Sequence, residues 1–271
     1  MAIKAGWIEY GGEKGYFAVP EKAAEPLSAI IVIQELFGVN DHIEDVTRRF
    51  AAAGYAALAP DLFVTGGARP AALTPQRIEK AVKLMRQLPP AAWGNPAMRD
   101  AELTKLPEPD RTEIGETFGK LYSGGPDRLA GYMPRLRAAV RHLRTGQQET
   151  KEQKVACVGF CMGGGLSALL ACEEPEISGA AIFYGSTPPA DKIPSIRCPV
   201  IGFYGGNDQR INAGIPMFEE AMRTAGKSYE RFVYEGANHS FFNDGGQSYN
   251  VKAVRDSFVR LLTFFHKILS A

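Results

Sequence analysis

Residues 154–174 read KVACVGFCMGGGLSALLACEE, and their reading decides the fold. The short apolar run KVACVGF predicts a buried strand, and the run after Met162 predicts a helix. Cys161 stands at the corner between them, with Gly159 two residues before it and Gly163 two residues after. Gly-x-Cys-x-Gly has the form of the nucleophile elbow Gly-x-Ser-x-Gly, with sulfur in place of oxygen. Gly159 and Gly163 leave room for a tight strand-to-helix turn. The positive end of the following helix favours a thiolate, and the Met162 amide is aimed where an oxyanion would form.

Outward from this corner, strand-like and helix-like segments alternate. SAIIVIQEL (28–36) reads as a buried strand ending near Glu35, and IEDVTRRFAAAG (43–54) as a helix closed by Gly54. YAALAPDL (55–62) is a short strand, and PQRIEKAVKLMRQL (75–88) a helix with proline near its start. SGAAIFYGS (178–186), CPVIGFYGGND (198–208) and SYERFVYEGANH (228–239) are further strands, and IPMFEEAMRTAG (215–226) another helix. In the last segment Val251, Val254, Phe258, Leu261, Leu262, Phe265 and Ile268 fall at helical spacing. GWIEYGGEKGYFAVP (6–20) reads as an amino-terminal hairpin. Alternation of this kind predicts an α/β fold with a mostly parallel central sheet flanked by helices, in a single domain over 1–271. Its functional loops belong at the carboxyl ends of the strands. The stretch from about 89 to 126, rich in Pro, Gly and charge, reads as a small insertion. It is either a cap or a surface excursion, and a helix follows at about 127–145.

Composition narrows the classes. The 271 residues are 45% hydrophobic and 23% charged, and the formal net charge is +1. Such a chain can bury a full core without staples. Its charge balance gives no attraction to nucleic acid or a membrane surface. The longest apolar runs fall far short of a membrane span. The first residues show no apolar signal core. The four cysteines, Cys157, Cys161, Cys172 and Cys198, form no C-x-x-C pair and have no histidine cluster beside them, so neither a zinc site nor another cofactor is expected. Few cysteines in a long chain fit a reducing compartment, and the expected location is the cytoplasm. Three of them read as small core hydrophobes.

A thiol nucleophile needs a base, and the base needs a carboxylate to hold its tautomer. Asp208 ends one predicted strand and His239 follows another, in GANHSF. The order Cys161, Asp208, His239 is the nucleophile–acid–histidine order of α/β-hydrolases. Of the other histidines, His42 lies just before a helix, while His142 and His266 fall within helices. The loop after an early strand should supply a second oxyanion amide, and Leu36 is the candidate. Glu35, a carboxylate in apolar company at a strand end, is a candidate second acid acting on the thiol.

IVIQELFGVN, the APDLF stretch, VGFCMGG, GGND and GANHSF together resemble the dienelactone hydrolase family. The resemblance runs from the hairpin to the last helix, apart from 89–126. It implies an α/β-hydrolase fold and a Cys161–Asp208–His239 triad that cleaves an ester or lactone through a thioester acyl-enzyme. It also implies oxyanion amides from Leu36 and Met162, and a Glu35 that contacts the resting thiol. The implied partner is a small-molecule ester or lactone, with no nucleic acid or membrane and a monomer or small homo-oligomer as the state. One departure stands out. Family members that open dienelactones grip the substrate carboxylate with arginines, one of them shortly after the catalytic histidine. Here HSFFN places Asn243 there. Arg77 is the candidate for the other, with Tyr122 and Arg128 as replacements. Alternative readings are a general carboxylesterase or thioesterase, a non-catalytic hydrolase-like binding protein, and a thiol sensor using Cys161.

Overall fold

The structure, a computed structural model, describes residues 2–23, 25–89, 92, 95–123 and 128–270. It comprises two compact units, one of residues 1–62 with 129–271 and one of residues 63–128.

The larger unit is built on one sheet. Its strands are β1 (Ile3–Tyr10), β2 (Glu13–Pro20), β3 (Ala29–Ile33), β4 (Ala56–Pro60), β5 (Val155–Phe160), β6 (Ile177–Phe183), β7 (Val200–Gly205) and β8 (Tyr229–Tyr234). They lie side by side in the order β1-β2-β4-β3-β5-β6-β7-β8. β1 and β2 form the expected antiparallel hairpin, β2 joins β4 antiparallel, and from β4 onward every pairing is parallel.

Both faces of the central strands are buried, which explains their unbroken apolar runs. Along β3, Ala29, Ile31 and Ile33 face one core while Ile30 and Val32 face the other. β5 divides in the same way, with Val155 and Cys157 on one side and Ala156, Val158 and Phe160 on the other. Each such Ile or Val contributes about 1.5–3 kcal/mol by burial. Helices α1 (Asp41–Ala52) and α9 (Val251–Leu269) cover the second face. Their first turns are capped by Asn40, which accepts from the Ile43 amide at 3.2 Å, and Asn250, which accepts from the Ala253 amide at 3.1 Å. α9 buries Val254, Leu261 and Phe265 as its spacing predicts, but Val251 is exposed at its first turn. Helices α5 (Met133–Arg141) and α6 (Met162–Glu173) contribute to the first face, and α8 (Ile215–Thr224) packs there too.

The smaller unit holds α2 (Pro75–Gln87), α3 (Pro96–Leu103) and α4 (Asp110–Tyr122) around a core of their own. Ala81, Leu84 and Met85 of α2 meet Leu103 of α3 and Ile114 and Phe118 of α4. The stretch read as an insertion is therefore part of a longer unit that starts at Phe63, and it carries the helices α3 and α4. Pro96 sits at the first turn of α3 and Pro109 at the N-cap of α4. Residues 90, 91, 93, 94 and 124–127 of that stretch lie outside the described residues. The helix expected at 127–145 is regular over α5 only, and continues as a single wider turn over His142–Gly146.

Candidate active site

β5 ends at Phe160 and α6 starts at Met162, so Cys161 has to reverse the chain within one residue. It does so at φ +55 and ψ −112, a region that side-chain-bearing residues avoid and that costs about 1–3 kcal/mol. The corner is held from both sides. The Cys161 amide donates to Phe183 O at 3.0 Å, and its carbonyl accepts from the amides of Gly164 and Gly165.

Gly163 lets the first turn of α6 press against the end of β3. A Cβ there would lie 2.3 Å from Ile33 O and 2.5 Å from Gln34 O, and backbone carbonyls of a central strand cannot retreat. Gly163→Ala is therefore expected to lose about 3 kcal/mol of stability or more. Gly6→Ala, whose Cβ meets nothing within 4 Å, should be near neutral. Urea denaturation of the two variants checks this. The same close approach sets the turn at Leu36 beside the amino end of α6. Gln34 fixes that segment further, its Oε1 accepting from the Leu62 amide at 3.1 Å.

Asp208 follows β7 and caps the short helix α7 (Gln209–Asn212), its Oδ1 accepting from the Ile211 amide at 3.4 Å. Its other oxygen, Oδ2, lies 2.5 Å from Nδ1 of His239. His239 lies in the loop after β8, with its side chain 31% exposed. Burial acts to lower the His239 pKa. The negative charge of Cys161, the hydrogen bonds to Asp208 and Cys161, and the charge of Asp208 outweigh it and raise the imidazole to about 10. Burial acts to raise Asp208, but the hydrogen bond and charge of His239 hold it below the ordinary carboxylate range. His239 thus bonds Asp208 and feels the charge of Cys161.

Glu35 lies two residues beyond β3 and is only 6% exposed. Its Oε1 accepts from the Tyr184 hydroxyl at 3.2 Å and its Oε2 from the Asn243 amide at 2.8 Å. Tyr184 is fully buried, and its hydroxyl is held protonated, well above the usual tyrosine range, by burial and then by the charges of Glu35 and Cys161. Its ring meets that of His239 edge to face at 5.1 Å. Composition did not single out this residue. The signal was its place, in FYGS at the carboxyl end of β6. Among the described residues, four non-glycine positions have positive φ: Glu152, Cys161, Tyr184 and Ser240. One is Cys161 itself, one is Tyr184, and one follows His239 directly.

The chain therefore brings together the pairs Asp208–His239 and Glu35–Asn243, with Tyr184 touching both, and Met162 follows Cys161 at the start of α6. Asn243 is engaged at both ends, since its Oδ1 also accepts from the Gly245 amide at 3.1 Å. Arg77 lies in the smaller unit, bonded to Glu116 at 2.5 Å and paired with Glu113 at 3.8 Å. Tyr122 lies there too, with the Arg99 guanidinium 4.0 Å over its ring, and Arg128 is that unit's last residue. The remaining thiols are set apart by burial, which pushes Cys157 and Cys172 up to about 12 and Cys198 to about 11. Among the described residues no group of three His, Cys, Asp or Glu side chains could hold a metal ion. No described helix is long and apolar enough to cross a membrane.

A mostly parallel sheet with a strained strand-to-helix corner, and a histidine–carboxylate pair on later loops, defines the α/β-hydrolase class. The crystal structure of a "Putative Dienelactone Hydrolase" from Klebsiella pneumoniae superposes with a TM-score of 0.69 at 29% identity, covering 98% of this chain and 99% of that one. A "Putative carboxymethylenebutenolidase" of Saccharolobus solfataricus is 34% identical over 257 residues, 94% of each chain. A protein of the same name from Methylorubrum extorquens is 31% identical over 264 residues, 93% of this chain and 76% of the other. The model of the dienelactone hydrolase family matches residues 14–269. The chain belongs to the dienelactone hydrolase family and is a carboxylic ester hydrolase.

Proposed function

We propose that this hydrolase cleaves its ester or lactone through a thioester on Cys161. The observation that carries the reading is the 2.5 Å contact of His239 Nδ1 with Asp208 Oδ2, made by a histidine that feels the charge of the cysteine at a strained elbow. With Nδ1–H given to Asp208, the other ring nitrogen serves the sulfur. Cys161 sulfur attacks the carbonyl carbon, and the Leu36 and Met162 amides take the oxyanion, a term of about 3–4 kcal/mol per donor. The C–O bond breaks, and the His239 proton passes to the leaving oxygen. Water then gives a proton to His239 and its oxygen to the acyl carbon. The C–S bond breaks and the acid leaves. Glu35 acts on the resting thiol in this reading, which its bond to Tyr184, a ring packed on His239, supports. The four free cysteines support a reducing compartment, and we place the reaction in the cytoplasm.

Limiting iodoacetamide tests the assignment. The buried thiols are held protonated, so one equivalent should alkylate Cys161 and abolish hydrolysis of 4-nitrophenyl acetate. Peptide mapping that found the label elsewhere, or full activity after labelling Cys161, would remove the thiol from the mechanism.

A further inference from the structure

The charges around Cys161 do not balance. Asp208 is matched by His239. Asp244, next to Asn243, is matched by Arg49 at 2.5 Å, with His42 Nδ1 at 3.5 Å. Glu35 has no such match. Both of its oxygens accept hydrogen bonds, the arrangement that suits the anion, but both donors are neutral: the Tyr184 hydroxyl and the Asn243 amide. Among the described residues no lysine, arginine or histidine forms an ion pair with it. The charge is also fixed in place. Tyr184 is fully buried, its ring packed edge to face against His239 at 5.1 Å and Phe241 at 5.4 Å. Asn243 is locked by the bond from the Gly245 amide to its Oδ1, which determines that its NH2 end faces Glu35. The segment that carries Asn243 is tied to α1 through Arg49 and Asp244. Tyr184, which donates to Glu35 at 3.2 Å, lays its ring edge to face on His239 at 5.1 Å and follows Phe183, whose carbonyl takes the Cys161 amide at 3.0 Å, so the uncompensated carboxylate borders the site of the sulfur that must meet the substrate.

We infer that Glu35, held by the neutral pair Tyr184 and Asn243, makes this site select uncharged esters over esters that carry a carboxylate near the scissile carbonyl. The inference rests on Cys161 being the nucleophile. Its physical basis is that a low-dielectric site of one sign repels a ligand of that sign, and that a neutral donor in place of a cation leaves the repulsion standing. Asn243 is the specificity-determining residue because it satisfies Glu35 without neutralising it.

A matched pair of substrates tests this: mono-4-nitrophenyl adipate, which carries a free carboxylate, and its methyl ester, which has nearly the same shape and no charge. Nitrophenolate release gives kcat/KM for each. The wild type should prefer the methyl ester by about tenfold or more, and the preference should shrink with added salt. Glu35→Gln keeps the shape and removes the charge. Asn243→Lys places a cation at a half-buried position beside Glu35. Each should narrow the preference several-fold, whatever it does to the absolute rate. Equal wild-type rates on the two esters would overturn the inference and leave the hydrolase reading intact. So would a preference that neither substitution moves. Release from neither ester would overturn the hydrolase reading, and this inference with it.

Discussion

Replacing Cys161 by alanine is expected to lower kcat/KM for 4-nitrophenyl acetate by about 10⁴-fold or more. The expectation follows from where this thiol stands. The backbone is held at φ +55 to place it, and its charge helps raise the pKa of His239. No other thiol is positioned to take over, because Cys157, Cys172 and Cys198 are buried and held protonated. The residual rate should be that of a site with an oxyanion pocket and a base but no covalent path. Fold integrity is checked by the same denaturation that compares Gly163→Ala with Gly6→Ala. A Cys161→Ala protein that folds normally and keeps more than a tenth of the wild-type kcat/KM would contradict the assignment.

Asp208→Asn is expected to cost about 10³–10⁴-fold in kcat/KM while leaving the shape of the site intact. An amide at 208 can donate to Nδ1, which moves the ring proton to the nitrogen that should serve Cys161. It also removes a hydrogen bond and a charge that raise His239. The NMR titration of His239 is expected near pH 10 in the wild type, against an ordinary value of 6.5, and lower in the variant. Stability follows with a definite sign. A histidine whose folded pKa is raised contributes stability that is fully present below its unfolded pKa and is lost as pH rises through the folded one. The wild type should therefore lose stability relative to Asp208→Asn between about pH 6.5 and 10. Asp208, whose pKa is depressed, contributes stability that is lost as pH falls through its folded value. An unshifted His239 titration in the variant would show that Asp208 does not set the charge of this ring.

Much of this was legible in the sequence because buried parallel strands and amphipathic helices have different periods. β3, β5 and β7 read as apolar runs, and α1 and α9 read as stripes. The glycine-flanked Cys161 marked the one corner where a helix must start directly from a strand. Asp208 and His239 were legible because turn-rich GGND and GANHSF follow strands. Tyr184 was not, since its place at the end of β6 does not reveal its partner. Its meaning comes from Glu35, 149 residues away in the chain. Asn243 was read as a possible substrate contact, and its partner proved to be Glu35, 208 residues away. The helices α3 and α4 were hidden for a different reason. Their prolines and charges resemble loop composition, and their apolar faces make sense only against α2.

The most direct measurement is rapid-quench intact mass of the protein mixed with 4-nitrophenyl acetate, with Cys161→Ala alongside. The account predicts an acetyl increment on Cys161 at early times, formed with the nitrophenolate burst, decaying as turnover proceeds and absent from the variant. Steady turnover with no acetyl increment at any time, or the same increment in Cys161→Ala, would contradict it.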